Sequence, residues 1–182
     1  KTSQYLISLG KTYEGTIQFG IETDSQDADG AIVAEKPLPD DLSTERVSKE
    51  MEGFLGDQYQ LPPMFSAKKI DGVPLYKMAR KGKTVEREPR FIRINKFELL
   101  RFESPEVDFR MSSSKGTYVR TVAHDLGQKL GCGAHLTSLR RTLIDQFDLK
   151  EGKTLEAIEE TPLSEFGDML IPVHKAIPSH VL

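Results

Sequence analysis

The sequence predicts an α+β fold, with a mixed, largely antiparallel sheet and helices that flank it. Its 182 residues suffice for one compact domain with a core of its own. Several segments alternate apolar and polar residues, as half-buried strands do, while only a few have the period of a helix. Short strands interleaved with few helices favour this class over a β-sandwich or a helical bundle.

The first predicted elements are a strand, a loop and a helix. Apolar residues and one glycine occupy the odd positions of 13–21, which predicts a strand with Tyr13 on its apolar face. An acidic loop follows at 23–30. Ser43 can cap a helix that ends near Gly56. The apolar residues on one side of that helix are Val47, Met51, Phe54 and Leu55.

The later elements continue this mixture of strands and helices. In chain order they are strands over 91–102 and 107–111, a turn at 114–116 and a helix that ends at Gly131. Val122, Leu126 and Leu130 mark the apolar side of this helix. Segment 136–143 fits the period of a strand and that of a helix equally well. The tail after Thr161 is predicted to be a partly ordered extension.

The charges are unevenly distributed along the chain, although the net charge is only −3. Residues 64–93 carry nine basic and three acidic side chains, a net +6, and residues 110–141 carry a net +5. The rest of the chain holds a net −14. Such segregation is typical of a protein that binds a polyanion on one face. The alternative is that the charges intermix once the chain folds.

Several other kinds of site are excluded because the sequence motifs that they require are incomplete. A phosphate loop ending at Lys11-Thr12 lacks its first glycine, because Tyr5 stands there. A calcium loop starting at Ser25 has Lys36 where a bidentate glutamate belongs. The single cysteine, Cys132, lies in no zinc pattern and fits a reducing compartment. We expect no metal, no nucleotide cofactor, no membrane segment and a cytoplasmic location.

Two short segments carry side chains suited to binding RNA. If residues 114–120 are extended, Tyr118 and Arg120 share one face and Val119 lies on the other. A phenol can stack on a base, and a guanidinium can bind a carboxylate through two hydrogen bonds. Leu139-Arg140-Arg141 could supply an apolar contact and two phosphate ligands. The alternatives are an exposed Tyr-x-Arg on a strand and an ordinary surface pair beside a core leucine.

Five runs of residues, in this order and spacing, resemble the TruB-type tRNA pseudouridine-55 synthases, over roughly 1–157. The runs are 11–13 (KTY), 23–30 (TDSQDADG), 60–69 (QLPPMFSAKK), 116–121 (GTYVRT) and 131–142 (GCGAHLTSLRRT). The resemblance implies a pseudouridine synthase fold and an isomerase without a cofactor. Its substrate would be one uridine in the T-arm loop of transfer RNA, which the enzyme must flip out of the loop.

The resemblance also implies roles for individual residues of the site. Tyr13 would stack on the flipped base, and Tyr118 would pack against it and assist removal of the C5 proton. Arg120 would pair with the catalytic aspartate and hold it ionised. Leu139 would line the pocket, and Asp27 would join the polar network at its edge.

The resemblance assigns the basic side chains to RNA binding. Segment 62–90, with Lys69 and Arg80, resembles the family's RNA-gripping insertion, and Lys115, Arg140 and Arg141 would contact phosphates. Residues 1–160 would form the C-terminal share of a catalytic domain. Residues 161–182 would be an extension that leads toward an absent C-terminal appendage. We expect the protein to act as a monomer.

The sequence departs from the family pattern at the nucleophile. The family's aspartate lies in a Gly-x-Leu-Asp-Pro loop, which these 182 residues lack. We therefore expect Arg120 to lack its carboxylate and the chain alone to be inactive. Smaller departures are Ser113, where the family often has Cys, and Asp145, where Gly is common. The alternatives are a non-catalytic RNA-binding or RNA-chaperone module of the same fold, and an interaction domain without an RNA role.

Overall fold

The computed structural model describes residues 3–70 and 72–177. Its strands are β1 (Lys11–Phe19), β2 (Ile21–Thr23), β3 (Ile32–Glu35), β4 (Gly56–Gln60), β5 (Lys69–Ile70), β6 (Val73–Pro74), β7 (Arg90–Glu103), β8 (Glu106–Ser113), β9 (Ala134–Ile144) and β10 (Phe147–Asp148). Its helices are α1 (Ser3–Ile7), α2 (Thr44–Glu52), α3 (Leu75–Ala79), α4 (Val119–Leu130), α5 (Leu155–Glu159) and α6 (Val173–Ala176). Two 3₁₀ helices span Leu149–Glu151 and Phe166–Met169.

The centre of the fold is a six-stranded sheet in the order β10-β9-β1-β8-β7-β4. Each neighbouring pair in this sheet is antiparallel. Strands β2 and β3 form a separate two-stranded ribbon, and so do β5 and β6. The predicted α+β class with a largely antiparallel sheet is therefore confirmed.

One face of the sheet carries the core, and α2 and α4 cover it. Val107, Phe109 and Met111 alternate along β8 and are fully buried, as their spacing predicts. Phe97 of β7 meets Phe109 edge to face, with ring centroids 5.6 Å apart. The opposite face is polar and holds ion pairs between neighbouring strands, such as Arg110 with Glu14.

Helix α2 begins where the sequence predicts. The Ser43 side chain caps it by accepting a hydrogen bond from the backbone N–H of Arg46. The helix ends at Glu52, earlier than the predicted end near Gly56, and Leu55 is 47% exposed. The prediction that Leu55 lies on the apolar side of this helix was wrong, because the chain has left the helix before this position.

Helix α4 ends as predicted, but it begins within residues 114–120, for which an extended conformation was considered. Gly131 takes the left-handed conformation, with φ of 84°, at its C-terminus. Its first residue is Val119, so the alternation of Tyr118 and Arg120 on an extended strand does not occur. Val119 is buried in the core. Segment 136–143, which fits both periods, lies in β9 and pairs with β1.

The segment between β4 and β7 contains the ribbon β5–β6 and helix α3. Pro62 and Pro63 are buried at its start. The tail beyond Thr161 contains a 3₁₀ helix and α6, and its side chains are mostly exposed. Each helix in the described part of the chain is too short or too polar to pass through a lipid bilayer.

Candidate active site

A cleft of about 390 Å³ opens at the N-terminal end of α4, between this helix, the strands β1 and β9, and the loop after β2. Five of its lining residues are those that the resemblance assigned to the uridine and its chemistry, namely Tyr13, Asp27, Tyr118, Arg120 and Leu139. They come from four separate parts of the chain. Its volume lies within the roughly 300–1,000 Å³ that is usual for small-molecule sites.

Tyr13 forms one wall of the cleft from its place on β1. Its ring is partly buried against the core, as the alternation of β1 predicts. Burial raises the pKa of Tyr13 above its ordinary value of 10.0, and the nearby Arg141 opposes this only in part. The phenol is therefore neutral near pH 7 and presents an uncharged ring. Leu139, 46% exposed, adds an apolar side chain from β9.

Arg120 is the charged centre of the cleft. One guanidinium nitrogen (Nη1) lies 2.5 Å from Oδ2 of Asp27, and Nη2 donates a hydrogen bond to the backbone carbonyl of Phe65. Both charged side chains are largely enclosed, with 21% and 25% of their surface exposed. The expectation that Arg120 lacks a carboxylate within this chain was therefore wrong. Asp27 supplies one, because the loop after β2 folds back over the start of α4.

The loop that carries Asp27 is fixed to its surroundings at several points. Ser25 donates a hydrogen bond to Asp27 Oδ1 at 2.5 Å. Asp27 forms a parallel bridge with Leu136 of β9, and the N–H of Leu136 donates to the Gln26 carbonyl at 3.1 Å. The Thr121 hydroxyl of α4 donates to the Gln26 side chain at 2.8 Å. These bonds hold Asp27 in place for Arg120, and Gln26 takes a left-handed φ of 67° to allow them.

Tyr118 stands at the boundary between the turn at 114–116 and α4. It is the N-cap residue, with extended backbone angles, and its side chain lines the cleft. Its backbone is held by the side chain of Gln60, the last residue of β4. Neither Gln60 nor Phe65 was predicted from the sequence to contact the site. Each bonds to a residue more than fifty positions away, so no local pattern could have revealed it.

The side chains predicted to bind RNA are exposed. Lys69 lies on β5, Lys115 in the turn before α4, and Arg140 and Arg141 on β9. Arg80 follows α3 and lies over the Tyr76 ring. A second pocket of about 360 Å³ is lined by Arg80 together with Asp27 and Arg120.

A further cation, Lys11, lies close to Lys115 and Arg141. Burial lowers the pKa of Lys11 below its ordinary value of 10.5, and the charges of Arg141 and Lys115 lower it further. The three side chains together make the end of the sheet beside Tyr13 strongly positive. Lys11 was not among the residues predicted to bind RNA.

Some basic residues of the two positive segments are paired with acids instead. Arg93 bonds to Asp57 at 3.2 Å, and Arg110 bonds to Glu14 at 2.7 Å. The charges therefore intermix in part, as the alternative interpretation proposed. Within residues 3–70 and 72–177, no cluster of three or more His, Cys, Asp or Glu side chains is arranged to hold a metal ion.

Two solved structures share this fold. A Cbf5-Nop10-Gar1 complex contains a chain that matches with a TM-score of 0.69 at 24% identity, over 96% of this chain and 45% of that one. An H/ACA RNP bound to a substrate RNA containing 2′-deoxyuridine matches with a TM-score of 0.61 at 20% identity, over 97% and 41%. The chain therefore has the fold that is common to these two structures.

Sequence comparisons identify the family. The TruB family pseudouridylate synthase N-terminal domain matches residues 1–119, and the tRNA pseudouridylate synthase B C-terminal domain matches residues 120–177. A tRNA pseudouridine synthase B of Opitutus terrae is 62% identical over 98% of this chain and 74% of its own length. One of Stutzerimonas stutzeri is 47% identical over 87% and 52%. The chain belongs to the TruB family of pseudouridylate synthases.

The chain is shorter than these relatives, and it spans only about half of the Stutzerimonas protein. The two matched ranges meet between Val119 and Arg120, at the start of α4. The side chains that line the cleft thus come from both ranges. Tyr13, Asp27 and Tyr118 lie in 1–119, and Arg120 and Leu139 lie in 120–177.

Proposed function

We propose that this cleft isomerises a uridine of the T-arm loop of transfer RNA to pseudouridine. The observation that carries the proposal is the meeting of Tyr13, Tyr118 and Leu139 with the Arg120–Asp27 pair in one cleft. Membership of the TruB family and the name of the relatives, tRNA pseudouridine synthase B, support this reaction and this class of substrate.

The walls of the cleft suit a pyrimidine that has left its stack. A flipped base loses its stacking partners, at a cost of a few kcal/mol, and aromatic side chains can replace them. Tyr13 would supply one such ring, and its neutral phenol adds no charge. Leu139 and Tyr118 would close the pocket around the base.

The reaction rearranges one nucleotide and needs no oxidant, reductant or second substrate. The bond from C1′ to N1 breaks, the base turns, and C5 bonds to C1′. The proton on C5 is then lost, and N1 gains one. Tyr118 would assist the removal of the C5 proton.

An aspartate outside these 182 residues would act as the nucleophile. Arg120 would lie between this carboxylate and that of Asp27, and its charge would stabilise the negative charge of the nucleophile. The contact with the Phe65 carbonyl would fix the plane of the guanidinium. Because the nucleophile is absent, residues 1–182 alone would make no pseudouridine.

The basic side chains around the cleft would bind the transfer RNA backbone. Lys115, Arg140 and Arg141 are exposed, and Arg141 lies near Tyr13 of the cleft. Lys69 and Arg80 belong to the insertion at 62–90, where Arg80 lines the pocket that also includes Arg120. Phosphate contacts of this kind fix the position of the RNA and make its binding depend on salt.

A tritium-release assay tests this proposal. The full-length protein is incubated with a T-arm stem-loop that carries [5-³H]uridine, and the tritium lost from C5 is measured. We expect release from the wild-type protein and none from residues 1–182 alone. Absence of release from the full-length protein would refute the isomerase proposal. Release by residues 1–182 alone would refute an external nucleophile. An RNA with cytidine at the target position is the control.

A further inference from the structure

Gln60 is almost fully buried, with only 5% of its surface exposed. The oxygen and the nitrogen of its side-chain amide each form a hydrogen bond with Tyr118. The backbone N–H of Tyr118 donates to Gln60 Oε1 at 2.8 Å. Gln60 Nε2 donates in turn to the backbone carbonyl of Tyr118 at 3.1 Å. A single side chain thus binds the donor and the acceptor of one residue, 58 positions further along the chain.

These two bonds act at a position where the backbone would otherwise be free to turn. Tyr118 precedes the first residue of α4, so its own N–H has no partner within the helix. Its carbonyl begins the helix by accepting from Val122 at 3.2 Å. Gln60 therefore fixes the peptide groups on both sides of the Tyr118 Cα, and with them the direction in which the phenol leaves the chain.

The same stretch of chain also holds Arg120. The Phe65 carbonyl, five residues after Gln60, accepts a hydrogen bond from the Arg120 guanidinium. Gln60 ends β4, and Phe65 lies at the start of the insertion at 62–90. This short stretch thus bonds to both Tyr118 and Arg120 at the start of α4.

We propose that Gln60 is a positioning residue, which aims the Tyr118 ring into the cleft through the backbone of Tyr118. This inference rests on the proposed function, because the position of Tyr118 affects a rate only if the cleft isomerises uridine. Gln60 itself does not line the cleft. Its effect on the reaction would pass through Tyr118 alone.

The test compares Gln60→Met with Gln58→Met in the full-length protein. Methionine keeps the length of glutamine and removes both hydrogen bonds. Gln58 lies on the same strand and bonds to the Phe54 carbonyl instead. We expect Gln60→Met to slow single-turnover pseudouridine formation about 10- to 100-fold, since a misplacement near 1 Å can have such an effect. The Kd for transfer RNA should stay within about threefold of the wild-type value, because Gln60 is not among the phosphate-binding side chains.

A second readout reports on the ring itself and does not need activity. The protein is labelled with 3-fluorotyrosine, and the ¹⁹F resonance of Tyr118 is assigned by its loss in Tyr118→Phe. We expect Gln60→Met to shift or broaden this resonance and Gln58→Met to leave it unchanged. An unchanged resonance together with a wild-type rate in Gln60→Met would overturn the inference. The inference would also be overturned if the rate of pseudouridine formation by Gln60→Met fell only in proportion to the fraction of folded protein. If the wild-type protein makes no pseudouridine, the proposed function fails, and the resonance still decides whether Gln60 positions the ring.

Discussion

The guanidinium of Arg120 lies 2.5 Å from the carboxylate of Asp27, although 93 residues separate them in the chain. The pair joins the first turn of α4 to the loop after β2, and both side chains are largely enclosed. An enclosed charge without a partner is unfavourable, so each side chain stabilises the position of the other. In the proposed reaction, this pair would hold the Arg120 guanidinium beside the nucleophile.

Asp27→Asn should lower both activity and stability. The substitution removes the charge that faces Arg120, while the shape of the side chain is nearly unchanged. We expect pseudouridine formation to slow at least about tenfold and the free energy of unfolding to fall by about 1–2 kcal/mol. Urea denaturation and tritium release measure the two effects. Asp40→Asn, at an exposed position, is the control. A variant of Asp27 with wild-type activity would show that the pair has no part in the reaction.

Gly127→Ala should destabilise the packing of α4 on β9. A Cβ at Gly127 would meet the backbone of Gly133 and Ala134 in close contact. Neither backbone can move without disturbing the sheet, so we expect a loss of about 1–3 kcal/mol, as is typical of overpacked cores. Thermal unfolding measures it. Gly167→Ala is the control, because a Cβ there would meet no atom within 4 Å. Equal stability of the two variants would contradict the close contact.

Lys36→Met should destabilise the protein at neutral pH more than at acidic pH. Burial raises the pKa of Glu22, but the hydrogen bond and charge of Lys36, 2.6 Å away, together with smaller contributions from Gln128 and His124, outweigh it. The pKa of Glu22 therefore lies below its ordinary value of 4.5. A depressed folded-state pKa adds stability above the unfolded value, and this stability is lost as the pH falls through the folded value. We expect a deficit of about 1–2 kcal/mol at pH 7.

This deficit should shrink as urea unfolding is repeated at lower pH, from pH 5 down to pH 3. Lys49→Met, which removes an exposed lysine of α2, should show no such trend. A deficit in Lys36→Met that does not change between pH 7 and pH 3 would show that Lys36 stabilises the fold by packing and not by its charge.

Arg141→Ala should weaken transfer RNA binding and its dependence on salt. Arg141 lies exposed beside Lys11 and Lys115, which makes it a candidate phosphate ligand. Loss of one phosphate contact should reduce the slope of log Kd against log salt by about one. Filter binding between 50 and 200 mM salt, a range over which such slopes are about linear, measures it. Arg101→Ala is the control, because Arg101 is paired with Asp108 at 2.7 Å. Equal slopes for the two variants would contradict a phosphate contact at Arg141.

Much of the fold could be predicted because its signals are local. The Ser43 cap, the alternation along β8 and the glycine that ends α4 each depend on neighbouring residues. The start of α4 at Val119 could not be predicted in this way. It depends on the burial of Val119 against a sheet whose strands come from distant parts of the chain.

In the candidate site, too, the residues within motifs could be predicted, and the contacts between distant residues could not. The resemblance to the TruB-type synthases named the side chains that line the cleft, because they lie within its motifs. The partner of Arg120 could not be inferred from residue spacing, since the loop that carries Asp27 reaches α4 only through its bonds to Leu136 and Thr121. Likewise, no pattern in the sequence indicates that the side-chain amide of Gln60 binds Tyr118.

The role of Arg120 in the proposed isomerisation is tested most directly by the single-turnover rate of tritium release by the full-length Arg120→Ala protein. Arg110→Ala is the matched control, because Arg110 is also paired with a carboxylate, that of Glu14, but lies on the polar face of the sheet. We expect a loss of at least about 10²-fold for Arg120→Ala, as for removal of a charge that stabilises a reacting group, and a near wild-type rate for Arg110→Ala. A near wild-type rate for Arg120→Ala would contradict this role of Arg120.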